Sequence, residues 1–172
     1  MPAKVRVLWA ILTVPFLCSC VTSKEPILGP DTRVLPWIIP KKFQIFDKNS
    51  ANAPWTKGQE VTLVPDLNDL TIRVGNDVFS LHPIGFRRFL AQTFVKDHYV
   101  YGIVEIRDGE GIVSLMNCES FDRNLILAAG ATIEKRFILE CSLDKANNPL
   151  NALLQLASRA KGGMEQRYVP VK

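Results

Sequence analysis

The sequence predicts an α+β fold: an antiparallel β-meander, either open or curled into a partial barrel, covered by a C-terminal helix. Two observations predict it. Between residues 59 and 116, alternating apolar and polar runs are separated by turn residues about every 8–12 positions, which is typical of a meander. After residue 148 the apolar side chains take the spacing of an amphipathic helix.

The strands of the meander are predicted from period-2 alternation. Leu70, Ile72 and Val74 fall on one face, and Phe79 and Leu81 return on that same face. Between them, glycine and two polar residues offer the positive φ that a tight hairpin requires. The predicted runs cover residues 61–65, 70–74, 78–82, 99–106 and 112–116, with turns at 75–77 and 108–111.

Residues 86–95 fit two structures. Phe86, Phe89, Leu90 and Phe94 have helical spacing, yet Leu90 and Phe94 also share one side of a strand. No N-cap residue precedes Phe86, which favours a strand.

The C-terminal third predicts two helices and two short strands. Residues 124–130 read as a short helix ending at glycine, and residues 137–139 as a short strand. Asn148 as N-cap and Pro149 at the first position predict a helix over 149–161. Residues 168–171 are expected to add a last edge segment. The predicted buried stripe of the second helix is Leu150, Leu153, Leu154, Ala157 and Ala160.

The first nineteen residues have the pattern of a signal peptide. Lys4 and Arg6 form a positive start, and an apolar stretch then runs from Val7 to Cys20. The stretch is shorter than the roughly 20 apolar residues that span a bilayer. Leu17, Ser19 and Cys20 resemble the lipobox of bacterial lipoproteins, with leucine at −3, a small residue at −1 and cysteine at +1.

The lipobox resemblance implies cleavage before Cys20 and a diacylglyceryl group on its sulfur, with a membrane partner through that lipid. Val21 follows without an aspartate, which favours the outer membrane, facing the periplasm. Two alternatives remain at this point: ordinary signal cleavage without lipid, and an uncleaved N-terminal anchor helix. Two or more acyl chains are needed for a stable anchor.

These observations divide the chain into three parts: a signal peptide over 1–19, a lipidated cysteine and proline-rich tether over 20–40, and one globular β-rich domain over 41–172. Within the tether, Trp37-Ile38-Ile39 is expected to dock on the domain or, alternatively, to touch lipid headgroups. Removing the leader from the 172 residues leaves 153 and lowers the net charge from +4 to +2. Such a balance indicates no nucleic-acid partner.

The remaining cysteines predict a disulfide. With Cys18 in the leader and Cys20 assigned to lipid, Cys118 and Cys141 form an even pair in an oxidising compartment. The alternative is two buried thiols. The chain has only two histidines, His82 and His98, and neither stands at ligand spacing from a cysteine, so no metal and no cofactor are expected.

Two further stretches carry a looser resemblance. Residues 27–36 and His82-Pro83-Ile84-Gly85 resemble a group of small Gram-negative envelope lipoproteins that share a leader, a proline-rich entry, a β-rich middle and late paired cysteines. That group has no assigned activity, so the resemblance implies an architecture and names no functional residue.

The residues support three functional hypotheses. No nucleophile elbow, phosphate-binding loop or dinucleotide fingerprint is present, so a non-catalytic binding or structural role with an envelope protein partner is the first. The second is a carrier of a small apolar ligand in a barrel-like pocket. The third is an envelope hydrolase whose site is assembled from distant residues. The candidate pocket residues are Phe79, Phe86, Phe89, Phe94 and Tyr101.

Overall fold

The computed structural model describes residues 20–36, 41–50, 52–135, 139–160 and 165–171. The predicted signal peptide, Trp37-Ile38-Ile39 and most of the predicted strand at 137–139 lie outside the described residues. The described strands are β1 (Val21–Ser23), β2 (Lys41–Lys48), β3 (Thr56–Asp66), β4 (Thr71–Val74), β5 (Asp77–Gly85), β6 (Arg88–Val95), β7 (His98–Arg107), β8 (Glu110–Leu115), β9 (Thr132–Lys135), β10 (Leu139–Ser142) and β11 (Glu165–Pro170), and the α-helices are α1 (Arg123–Ala128) and α2 (Pro149–Arg159).

Eight of these strands close into an antiparallel β-barrel. Around the barrel the order is β6-β5-β4-β3-β2-β11-β8-β7, and β7 pairs with β6 to complete the ring. The predicted α+β meander covered by a helix is therefore wrong: the molecule is mostly β and its sheet is closed. Closure depends on β2 and β11, neither of which the alternation pattern had placed inside a sheet.

The C-terminal segment is the closing strand. Residues 168–171 were expected at a sheet edge, but β11 lies between β2 and β8, with Tyr168 opposite both Ile45 and Gly111. The edge prediction was wrong because the pairing partners of β11 lie far away in the sequence. The ambiguous stretch 86–95 is a turn followed by strand β6, as the missing N-cap had favoured.

A three-stranded extension branches from the barrel at β7. The first half of β7 pairs with β1, which runs parallel to β10, and β10 pairs with β9. Cys118, in a 3₁₀ turn, is joined by a disulfide to Cys141 in β10. The predicted disulfide is thus confirmed, and it ties the end of the β7–β8 hairpin to the extension.

Two apolar cores result because β7 is buried on both faces. Val104 points into the barrel, where it packs with Phe43, Leu63, Ile72, Val74, Leu81 and Ala91. Tyr101 and Ile103 point outward, into an outer core shared with β1, β10 and both helices. An eight-stranded barrel is just wide enough for side chains to fill it, which agrees with the buried inner core.

Helix α2 packs in the outer core, against the part of the barrel wall that β6 and β7 form. Asn148 caps it by accepting a hydrogen bond from the Asn151 amide, and Pro149 starts it, as predicted. The buried side is Ala152, Leu153, Leu156 and Ala157, whereas Leu150 and Leu154 are exposed. The predicted stripe was therefore rotated: leucines surround this helix, so spacing alone did not select the face. Helix α1 ends before Gly130, whose φ of 76° is the expected left-handed stop.

Candidate functional site

The five aromatic residues proposed as a pocket do not come together. Phe79 and Phe89 pack against the inner core, whereas Tyr101 is buried in the outer core. Phe94 is exposed next to Tyr99, and Phe86 is 89% exposed in the β5–β6 turn. Because side chains alternate across a strand, these residues divide between two faces of one barrel wall. They form no single pocket.

Cys20 lies immediately before β1, directly on the folded domain. Its carbonyl oxygen accepts a hydrogen bond from the Cys141 amide, and its backbone bridges to Asn117. The residue is buried. Since β1 follows at Val21, the chain has no spacer between the proposed lipidation site and the sheet.

The segment that was expected to be a tether packs across the outside of the barrel. This holds for residues 20–36, the part of the segment that the structure describes. Residues 24–35, here called the strap, leave β1, pass over the outer faces of β6 and β5, and reach the edge of β5, where the Val34 amide donates to the Leu81 carbonyl at 2.8 Å. Leu28 is buried in the outer core. Over residues 20–36 the expected extended tether is therefore not seen.

Three polar side chains on the outer barrel wall hold the strap. Tyr101 on β7 lies 2.6 Å from the Ser23 hydroxyl and accepts from the Ile27 amide at 3.2 Å. Gln92 on β6 forms two bonds with the Leu28 backbone, accepting at 3.0 Å and donating at 3.3 Å. Burial raises the pKa of Tyr101, so its hydroxyl stays protonated and can donate.

The third polar side chain is His82 on β5. Its Nδ1 lies 2.7 Å from the Thr32 hydroxyl of the strap, and its Nε2 lies 3.0 Å from the Ser80 hydroxyl. Burial, and secondarily the nearby Arg33 charge, lower its pKa from 6.5 to about 4. The neutral ring has one N–H and one lone pair, so it donates one of these bonds and accepts the other.

A serine hydroxyl next to a histidine ring is the pairing that hydrolases use as nucleophile and base. In this chain the Ser80–His82 pair instead holds the strap, because His82 also bonds Thr32. Both side chains are buried beneath the strap. A general base works best with a pKa near the operating pH, and a pKa of about 4 makes His82 a weak proton acceptor at neutral pH. The geometry therefore supports a structural role for this pair.

A cavity of about 340 Å³ opens between the strap, the loop after β10 and the start of α2. This volume is within the range of small-molecule sites, about 300–1,000 Å³. Its apolar walls come from both sides, Ile27 on the strap and Leu150 on α2, with the buried Leu143 between them. The complete lining is Ser23, Glu25, Pro26, Ile27, Leu143, Asp144, Asn148, Pro149 and Leu150.

Two carboxylates, Glu25 and Asp144, line the same cavity. One Asp144 oxygen accepts a hydrogen bond from the Lys24 amide at 2.7 Å, which fixes the carboxylate at the cavity wall. The start of α2 offers little to an anion there, because Pro149 has no N–H and the Asn151 amide is already bonded to Asn148. The polar chemistry of the cavity is therefore negative.

Sequence reasoning missed this site. The strap was interpreted as a free tether, so its residues were not considered as walls of a pocket. A signal was present: Ser80, His82 and Gln92 stand at alternate positions in otherwise apolar strands, and such polar residues on a buried face need partners.

The described residues contain no group of three or more histidine, cysteine, aspartate or glutamate side chains placed to hold a metal ion. No helix within the described ranges is long and apolar enough to cross a membrane. No family model matches the chain, and no curated protein or solved structure shows significant similarity to it.

Proposed function

We propose that this chain is a non-catalytic, lipid-anchored envelope protein that carries a small ligand in the cavity between the strap and α2. The observation that carries the proposal is the cavity itself, which lies between a strap held on a closed barrel and the start of α2. The disulfide between Cys118 and Cys141 supports an oxidising compartment outside the cytoplasm. The lipobox-like residues support anchoring through Cys20.

The lining defines the ligand class. Pro26, Ile27, Pro149 and Leu150 offer apolar surface, which favours a hydrocarbon or ring system. Glu25 and Asp144 favour a positive group on the same molecule. The expected ligand is therefore a small amphiphile with an apolar body and an ammonium or guanidinium group.

A matched set of probes tests this proposal. We expect calorimetric titration with octylammonium to give binding, and titration with octanol or octanoate to give at least about tenfold weaker binding, because only the amine meets the carboxylates. Glu25→Gln and Asp144→Asn should each weaken octylammonium binding. Asparagine at 144 can still accept from the Lys24 amide, so the wall of the cavity is kept.

A second pair of variants locates the site. Ile27→Trp should fill the cavity and abolish octylammonium binding, whereas Leu154→Trp, on the exposed side of α2, should leave it unchanged. Equal binding of all three probes, or loss of binding in Leu154→Trp with retention in Ile27→Trp, would contradict the site.

A further inference from the structure

One end of the barrel displays apolar side chains on separate turns. Because the strands alternate in direction, the turns 67–70, 86–87 and 108–109 and the end of β11 lie at the same end, here called the lower rim. Phe86 is 89% exposed and Leu67 is 62% exposed, and Leu70 and Val171 are also exposed. At the other end, the upper rim is formed by the turns at 75–76 and 96–97.

The residue types in these turns oppose local folding preferences. Leu70 has a φ of 51° and Arg87 a φ of 55°, a left-handed conformation that favours glycine and asparagine. The Phe86 side chain, in a two-residue hairpin turn, also buries little of its surface. Folding alone does not explain large apolar residues at strained or exposed turn positions, and such violations of local rules mark functional surfaces.

The charges of the lower rim fit an anionic lipid surface. The Arg87 guanidinium lies 5.1 Å from the centre of the Phe86 ring, so one turn presents an aromatic ring with a cation over it. Several acidic side chains near this rim already have partners. Glu105 forms ion pairs with Arg88 and Arg107, and Glu110 forms one with Arg167. The Asp66 carboxylate accepts hydrogen bonds from two backbone amides of the turn that follows it. Among the turns, the two strand residues on either side of each turn and the adjoining start of β2, basic side chains exceed acidic ones, five (Lys41, Lys42, Arg87, Arg88 and Arg107) against four (Asp66, Asp69, Asp108 and Glu110). The Arg33 guanidinium of the strap also reaches this rim, where it donates to the Asp69 carbonyl.

We propose that the lower rim docks on the headgroup layer of an anionic phospholipid membrane, with Phe86 and Leu67 inserted and Arg87 at the phosphates. Separate apolar tips around a rim suit a fluid surface, into which each tip can insert independently. Aromatic rings with adjacent cations are favoured at this depth. The inference concerns a surface distant from the ligand cavity and does not rest on ligand binding.

Tryptophan scanning of the exported protein tests the contact. The protein is reconstituted in phosphatidylglycerol vesicles with and without bromine on the acyl chains, which quenches tryptophan emission at the membrane. Phe86→Trp emission should fall at least about twofold in brominated vesicles, after subtraction of the unsubstituted protein. Val78→Trp, exposed beside the upper rim, should show no such fall. Absence of quenching at position 86, or equal quenching at both positions, would overturn the proposal.

Two further measurements distinguish contact with lipid from contact with a second copy of the chain, and test the lower rim in the absence of a lipid anchor. If a second copy of the chain covered the lower rim, the Phe86→Trp signal would depend on protein density in the vesicles, and the lipid proposal would fail. If the protein proves to carry no lipid on Cys20, it is mixed with preformed phosphatidylglycerol vesicles. Co-sedimentation that Phe86→Asp abolishes and Val78→Asp preserves would still support the rim contact, and co-sedimentation unaffected by Phe86→Asp would overturn it.

Discussion

His82 is a single side chain that makes the attachment of the strap to the barrel depend on pH. The ring bonds Thr32 on one side and Ser80 on the other, and its neutral form is the one that fits. Its pKa of about 4 in the folded protein is below the ordinary value of 6.5. The unfolded chain therefore takes up a proton more readily than the folded one between these two values.

We expect the free energy of unfolding to be fully maintained above about pH 6.5 and to fall as the pH drops toward 4, because protonation favours the unfolded state in this window. A shift of this size corresponds to about 3 kcal/mol. Urea unfolding at pH 7 and pH 4.5 measures the loss. In His82→Asn, whose amide can still reach the strap, the acid-dependent loss should shrink. An identical pH slope in both proteins would contradict the role of His82.

Gln92 holds the middle of the strap on the barrel, as His82 holds the part near Thr32. Its side chain satisfies both the amide and the carbonyl of Leu28, in a buried position. Gln92→Ala leaves these two backbone groups without that partner, at a cost of about 1–3 kcal/mol. We expect faster protease cleavage within residues 24–35 and weaker octylammonium binding. The control is Gln155→Ala on the exposed side of α2, which should change neither the cleavage rate nor octylammonium binding.

At the scale of elements, helix α2 stabilises the barrel through one face. Leu156 is 0% exposed in the outer core, whereas Leu154, two residues earlier in the same helix, is 37% exposed. Leu156→Ala should lower the free energy of unfolding by about 2–5 kcal/mol, because it leaves a cavity in a packed core. Leu154→Ala should cost less than about 1 kcal/mol. Denaturant unfolding of both variants measures the difference, and equal losses would show that the buried face is assigned wrongly.

For the whole molecule, the disulfide joins the barrel to its extension. Breaking it frees the chain between Cys118 and Cys141, which are 23 residues apart, and should lower the free energy of unfolding by about 3 kcal/mol. Thermal unfolding with and without reductant measures this. Non-reducing peptide mapping should place Cys118 and Cys141 in one linked peptide, and a link from either of them to Cys20 would contradict the assignment.

The anchoring of the whole molecule is tested by fractionation. Cys20→Ala removes the proposed acceptor of lipid and should move the protein from the membrane to the soluble periplasmic fraction. Cys18→Ala, two residues earlier in the leader, should leave it in the membrane. If Cys20→Ala remained uncleaved and membrane-bound, the leader would be an anchor helix and the lipid proposal would fail.

The sequence alone determined the local features of this fold. The alternation of Leu70, Ile72 and Val74 predicted one strand, the cap at Asn148 predicted the start of α2, and compartment arguments predicted the pairing of Cys118 with Cys141. These features depend on side chains a few positions apart, or on pairing two cysteines that have no competitors.

Tertiary structure decided closure, the buried face of α2 and the course of the strap. Tyr168 pairs with Ile45 across more than half of the chain, and no local periodicity encodes such a partner. Leucines on several sides of α2 left its orientation to the barrel wall. The strap is recognised by Tyr101, Gln92 and His82, which meet it only after three strands have assembled. The candidate cavity follows from that docking, and therefore could not be predicted from the order of residues.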